Sequence, residues 1–408
     1  MKKNVLKLLT VFLILSLAAC RPAAKHNVST DESTAVSDES SVQESETEAS
    51  TEASEKSTEA EVPVTLPTLN EIFAAHGMKV GTCLSAQMIG RDQTNRLILE
   101  QFNSVTMENS MKPDAILSQK KSREAGTLVV DFNKDALKML DWAKENHFSM
   151  RGHTLVWYSQ TPEWIFHRDF DTSSEYVNRE EMLSRMESMI SQVFQKLDEL
   201  GYIDLFYAYD VVNEAWMEDG TMRENHWKEI IGDDYLWYAF YYADKYAPES
   251  IDLYYNDYNE QFKTDALYQF VNTLVDENGE YLIDGIGLQA HLYTSDNLDQ
   301  YFRTVEKLGS TGLKLQLTEL DVCLGSWQHP EKAEDENLQK QGRFYYNLIN
   351  GLFERQDAGL IHMDALTFWG FSDSMSWRRE YSPLLYNSSL KPKYALYGAL
   401  QMKENAGF

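Results

Sequence analysis

Eight short runs rich in apolar, β-branched and aromatic residues recur along the chain, at 78–85, 102–109, 149–157, 206–214, 251–259, 285–292, 313–322 and 365–373. Helical patterns stand between them at 131–146, 179–200, 235–246, 263–275, 298–308 and 331–354, and a last helix is expected after Pro392. Strand and helix in alternation predict parallel strands joined by right-handed crossovers. Eight such units favour an α/β fold of the closed (β/α)8 TIM-barrel type over an open doubly wound sheet. Neither GxGxxG nor GxxxxGKS/T follows the first run, which counts against a nucleotide-binding sheet.

The N-terminal sixty-odd residues are of another kind. Lys2, Lys3 and Lys7 precede an apolar run at 8–19 that is short for a membrane span. The run ends in Leu17-Ala18-Ala19-Cys20, which resembles the lipobox of bacterial lipoproteins. Residues 1–20 are therefore read as a lipoprotein signal peptide, with Cys20 lipidated and the chain held at the extracellular face of a membrane. An ordinary signal peptide with an incidental Cys20 is the alternative. Residues 21–66 are expected to form a disordered linker. The stretch 31–61 holds eleven acids and a single base, Lys56, without an aromatic residue. Such a segment buries too little apolar surface to offset the entropy of ordering. One globular domain, 67–408, remains.

The chain carries 37 basic and 64 acidic residues, a net charge of −27. Residues 1–61 hold 6 bases and 11 acids, so −22 stays on the remainder. A protein this acidic does not condense on phosphate backbones, and no nucleic-acid partner is expected. Three cysteines make no disulfide framework and lack the spacing of a zinc site. Cys83 and Cys323 lie in apolar runs and read as buried thiols; pairing would need their Cα atoms within about 7 Å.

The chemistry gathers where the predicted strands end, the face at which barrels of this kind build their sites. The second run ends in Glu108-Asn109, with Lys112 close behind. The third carries His153, Trp157 and, just beyond, Gln160. The fourth ends in Asn213-Glu214, and the fifth holds Asn256, Asp257, Tyr258 and Asn259. Gln289 and His291 lie on the sixth, Glu319 and Asp321 on the seventh, and Trp369 on the eighth, with Trp377 in the loop beyond. Singly, each has a bland reading as a satisfied core residue. Packing does not explain seven strands in succession placing such groups at one end, because an unpaired buried carboxylate is costly.

Glu214 and Glu319 are the central pair. Strands four and seven are three apart in a ring of eight, so their tips face each other across the mouth. Paired carboxylates in a cleft lined by aromatic rings, amides and a lysine are what glycoside hydrolysis requires. One protonates the departing oxygen, and the other attacks or stabilises the sugar carbon. No metal or cofactor is expected. The competing metal site, His153, His291, Glu319 and Asp321, lacks HxH or HExxH spacing.

Five segments in order resemble glycoside hydrolase family 10, the retaining endo-1,4-β-xylanases, over roughly residues 66–408. They are Phe102 to Lys112; Arg151-Gly152-His153-Thr154-Leu155-Val156-Trp157 with Gln160-Thr161-Pro162; Asp210-Val211-Val212-Asn213-Glu214-Ala215; Gly285 to His291; and Thr318-Glu319-Leu320-Asp321. The resemblance implies that Glu214 is the acid/base and Glu319 the nucleophile. Asn213 would bond the sugar 2-hydroxyl, and Gln289 would face the same ring. His291 would bridge Glu319 and Asp321. Glu108, Asn109, Lys112, His153, Trp157 and Gln160 would hold the glycone, covered by Trp369 and Trp377. Asn256 and Tyr258 would lie toward the aglycone. Tyr158 departs from the family, which often has His there. Xylan and xylooligosaccharides are the implied substrates, handled by a monomer. A sugar-importer binding lipoprotein, a cellulose- or mixed-linkage-glucan-cleaving barrel and a structural surface protein are the rival readings.

Overall fold

The computed structural model describes residues 66–408. The signal peptide, Cys20 and nearly all of the predicted linker lie outside the described residues. The strands are β1 Lys79–Leu84, β2 Ser104–Met107, β3 Ser149–Trp157, β4 Phe206–Asn213, β5 Asp252–Asp257, β6 Gly285–Leu288, β7 His291–Tyr293, β8 Lys314–Cys323 and β9 Met363–Phe368. All pair in parallel. β1 bonds β2 on one side and β9 on the other, and β6 bonds β8, which closes a ring of eight. β7 is a three-residue continuation of the sixth stave that pairs with β8. The strands are buried almost throughout, as parallel strands covered on both faces must be.

A principal helix follows each stave: Asp92–Gln101, Lys134–Glu145, Arg179–Glu199, Tyr235–Tyr246, Glu260–Val271, Leu298–Gly309, Asp335–Asp357 and Tyr394–Ala399. Asparagine side chains fix several starts. Asn133 accepts from the amides of Asp135 and Ala136 at 2.9 Å, Asn178 from Glu181 at 2.9 Å and Asn297 from Gln300 at 3.1 Å, each satisfying donors that the first turn leaves free. A short helix, Leu69–Ala74, precedes β1. Its Thr68–Glu71 capping box bonds in both directions, at 2.8 and 3.1 Å.

Several element bounds differ from the sequence reading. The run 285–292 breaks after Leu288, because Ala290 takes a left-handed φ of 58°. The eighth stave begins at Met363 and ends at Phe368, so 369–372 is loop and Asp373 opens a short 3-10 turn. The fifth-stave helix starts at Glu260, three residues before the predicted position. The Asp92–Gln101 helix has no counterpart among the predicted helices. Its first residues are polar, and its N-cap residue, Arg91, makes no capping bond.

Candidate active site

The loops at the carboxyl ends of the staves enclose a cavity of about 1000 Å³. Glu214 is the residue after β4, with φ 58°, a conformation that L residues rarely adopt. Its amide donates to the Asn256 carbonyl at 2.9 Å, and its own carbonyl accepts from Arg223 Nε at 2.9 Å. That turn carries the carboxyl group into the cavity. Oε1 there accepts from Gln289 Nε2 at 2.9 Å and Asn213 Nδ2 at 3.2 Å, and Oε2 accepts from Trp157 Nε1 at 3.1 Å.

Glu319 enters from β8. Asn256 Nδ2 donates to its Oε1 at 2.9 Å and, also at 2.9 Å, to Asn213 Oδ1. A chain of two amides, Asn213 and Asn256, thus joins the two carboxylates across the mouth. Thr318 Oγ1 donates to Asn256 Oδ1 at 2.6 Å and fixes which way that amide faces.

His291 stands between two acids. Its Nε2 is 3.3 Å from Glu319 Oε2 and its Nδ1 is 3.2 Å from Asp321 Oδ2, ion-pair contacts that are not linear hydrogen bonds. Arg378 Nη1 donates to the other Asp321 oxygen at 2.6 Å. Burial would strip the imidazole of its proton. The charges of Asp321 and Glu319 outweigh it and raise the ring to about 10. Burial would likewise push the Glu319 carboxyl up, but contact with His291 and the electrostatic influence of His153, His291 and Arg151 hold it at about 2. Glu319 is therefore an anion beside an imidazolium. Both nitrogens of His291 are committed to carboxylates, which leaves it no lone pair for a metal ion. Among the described residues, three or more His, Cys, Asp or Glu side chains do not converge in a metal-binding group.

The loops after β2 and β3 build one wall. Lys112 Nζ bonds Asn109 Oδ1 at 3.1 Å and Gln160 Oε1 at 2.8 Å, and it stands 4.9 Å from the centre of the Trp157 ring. Gln160 Nε2 donates to Asn109 Oδ1 at 3.2 Å, and Glu108 lines the cavity beside them. Burial pushes the Glu108 carboxyl above its usual range, against the pull of Lys112. His153 turns Nδ1 onto Asp210 Oδ2 at 2.7 Å, while Asp210 Oδ1 accepts from Arg151. The other edge of the His153 ring lines the cavity, packed edge-to-face on Trp369. Trp377 is 64% exposed and covers His291 edge-on, with ring centres 5.4 Å apart.

Most residues singled out in the sequence thus meet around one cavity. Asn256 does not line it. The side chain is fully buried and spends its polar atoms on Asn213, Glu319 and Thr318, so it holds the carboxylates rather than a sugar. Tyr258 does line the cavity, and its hydroxyl accepts from Arg223 Nη2 at 2.9 Å. Tyr158 lies beside Glu214 rather than Glu319. Burial and then the charge of Glu214 push its phenol to about 12, and the Arg223 guanidinium sits 4.3 Å from the ring centre. Cys83 and Cys323 are buried free thiols. The sequence reading passed over Arg151, Asp210, Arg223 and Arg378 as individual groups. Arg151 could have been noticed, since an arginine inside an apolar strand needs a buried acid.

Two carboxylates share this mouth in unlike settings, one fixed as an anion and the other ringed by neutral donors. A (β/α)8 barrel with that arrangement, walled by indoles and amides, is built as a glycoside hydrolase. The sequence profile described as glycosyl hydrolase family 10 matches residues 68–402, and the chain belongs to that family. It is 34% identical over 336 residues to endo-1,4-beta-xylanase B of Butyrivibrio fibrisolvens, an alignment covering 79% of this chain and 51% of that protein. It is 33% identical to the endo-1,4-beta-xylanase of Geobacillus stearothermophilus, covering 82% of this chain and 98% of that one. The crystal structure of TsXylA, an intracellular xylanase from Thermoanaerobacterium saccharolyticum, superposes with a TM-score of 0.73 at 32% identity. That alignment covers 82% of this chain and 98% of the other. The chain thus spans about half the length of the Butyrivibrio relative.

Proposed function

We propose that this protein is an endo-1,4-β-xylanase that cleaves xylan by double displacement with retention, anchored at the cell surface through a lipid on Cys20. The observation that carries the chemistry is the unequal setting of the two carboxylates. Glu319 is held as an anion and is the nucleophile. In Glu214, Oε1 already takes two donors and Oε2 one, so Oε2 is the oxygen free to bear the proton given to the departing sugar. Attack by Glu319 forms a glycosyl ester and removes one negative charge from the site. Glu214 can then hold a negative charge itself, after taking a proton from the incoming water. Its other partners, Asn213, Gln289 and Trp157, keep the carboxyl group in one orientation through both steps.

Lys112, Asn109, Gln160 and Glu108 offer donors and acceptors to sugar hydroxyls, and the indoles of Trp157, Trp369 and Trp377 offer faces to pyranose rings. The anchoring rests on the sequence pattern around Cys20 alone. Product profiling on xylan, arabinoxylan, glucuronoxylan and cellulose tests the substrate assignment. Xylooligosaccharides of mixed length should appear from the first three, with slower release or none from cellulose. Cellulose as the preferred substrate would refute the reading, and so would ligand binding without turnover.

A further inference from the structure

Glu260 is fully buried at the start of the helix that follows β5, and it takes no part in the chemistry set out above. A carboxyl group in that position is costly and needs a reason. Its Oε1 accepts from the amide of Ala290 at 3.3 Å, and its Oε2 has no partner. Asp257 on β5 and Lys263 on the same helix are its charged neighbours, and burial and then Glu260 push the Tyr301 phenol on the next helix well up. Burial, joined by the charge of Asp257, pushes the Glu260 carboxyl up to about 7, against its own amide, the Ala290 amide and Lys263. The contact to Ala290 asks only for an acceptor oxygen at that reach, charged or not.

What this oxygen holds is a turn. Ala290 is fully buried with φ 58°, a conformation that a Cβ makes unfavourable. It stands between β6 and β7, and its two neighbours meet the two catalytic carboxylates. Gln289 Nε2 donates to Glu214 Oε1 at 2.9 Å, and His291 Nε2 lies 3.3 Å from Glu319 Oε2. The backbone of Gln289 stays in the sheet: its amide donates to the Asp257 carbonyl at 2.8 Å, and its carbonyl accepts from the Glu319 amide at 3.1 Å. The next amide, that of Ala290, leaves this ladder, and Glu260 is the group that meets it.

We propose that Glu260 is a positioning residue for both catalytic carboxylates: by binding the amide of Ala290 it holds the left-handed turn that puts Gln289 on Glu214 and His291 on Glu319. This rests on the reading of Glu214 as acid/base and Glu319 as nucleophile. If the turn relaxes, Glu214 loses a donor that fixes its orientation, and Glu319 loses the cation beside it. The two losses have separate signatures. Proton donation matters most for a poor leaving group, and ionisation of Glu319 sets the acid limb of the pH profile.

Two variants separate reach from charge. Glu260→Asp keeps the acid and draws it back by one methylene, whereas Glu260→Gln keeps the reach and an acceptor oxygen. The test measures kcat/KM in the full chain for a phenyl and a dinitrophenyl β-xylobioside, the second with a leaving group that needs no proton. In Glu260→Asp the phenyl-to-dinitrophenyl ratio should fall about tenfold. The acid limb for the dinitrophenyl substrate should rise by about half a pH unit or more. Glu260→Gln should return both toward the unsubstituted values. Ala290→Gly added to Glu260→Asp should recover part of both, because glycine adopts a left-handed φ without steric cost. A Glu260→Asp chain whose ratio and limb both match the parent overturns the proposal, even where its Tm or overall rate falls. So does a Glu260→Gln chain displaced as far as the aspartate one, since charge rather than reach would then be at work. An unsubstituted chain that turns over neither substrate overturns the cleft reading and the positioning with it, so the two failures are told apart.

Discussion

His291 Nε2 lies 3.3 Å from Oε2 of Glu319 and helps hold that carboxyl low, while Asp321, and after it Glu319, hold the ring high. The folded value of Glu319, about 2, is below its unfolded value of about 4.3. Its stabilising contribution is present above about pH 4 and is lost as pH falls through about 2. The folded value of His291, about 10, is above its unfolded value of about 6.5. Its contribution is full below about pH 6.5 and is lost as pH rises through about 10. His291→Gln removes the cation. The acid limb of kcat/KM for an aryl xylobioside with a good leaving group, which needs no proton from Glu214, should then move up by about one pH unit or more. Superimposable profiles would dismiss His291 as the group that holds Glu319 ionised.

Glu319→Ala should cut turnover by roughly 10⁴-fold or more on every substrate, since no ester can form. Azide entering the vacated space should return an inverted α-glycosyl azide. Glu214→Ala should spare ester formation only for substrates with good leaving groups and accumulate the ester as a burst, and azide should then give the β-azide. The unsubstituted enzyme should release the β-anomer first, as read by proton NMR before mutarotation. An initial α-anomer, or the two azide products exchanged, overturns the assignment.

The eight staves were legible because each is a short apolar run bounded by polar segments, and parallel strands show little else. The tips were legible because polar groups at the ends of such runs need a reason. The network behind them was not. Asp210 pairs with Arg151 from another strand, 59 residues away, and no local pattern links them. The break at Ala290 was hidden for a similar reason. Its amide donates to Glu260 Oε1 at 3.3 Å, from a buried acid on the preceding helix. Asn256 looked like a cleft residue because it stands at a strand end. Sequence gives the end of a strand but not whether the next layer of side chains covers it.

Asp210 is fully buried and is the partner of both His153 and Arg151; the arginine donates to it from Nη2, and its Nε and Nη1 have no hydrogen-bond partner. Asp210→Asn leaves a buried guanidinium uncompensated and should cost about 3–5 kcal/mol, lowering Tm by several degrees. The joint replacement Asp210→Leu with Arg151→Met should recover much of that loss, because it leaves no buried charge. A single variant as stable as the parent in urea would show that the pair is neutral to folding.

Cys20→Ala should move the protein from the membrane fraction to the soluble one while specific activity on soluble xylan stays unchanged. The motive is the sequence Leu17-Ala18-Ala19-Cys20 and the acidic stretch after it. Retention of the variant with membranes would remove the lipid from the account.

Trp377 is held from two sides, by the edge of His291 at 5.4 Å and by the Arg378 guanidinium 5.7 Å from its ring centre. The same two residues contact Asp321, so the indole is fixed to the apparatus that orients Glu319. On the xylan-cleaving reading, a ring held that way would crowd the exocyclic hydroxymethyl group that xylose lacks. Removing it should relieve the rejected substrate more than the accepted one. Trp377→Ala should lower the ratio of kcat/KM for xylooligosaccharides to that for cellooligosaccharides by about tenfold, the scale on which a pocket senses one small group. Overall activity should fall as well, since His291 loses a packing partner. An unchanged ratio would place the choice between xylose and glucose elsewhere in the cleft.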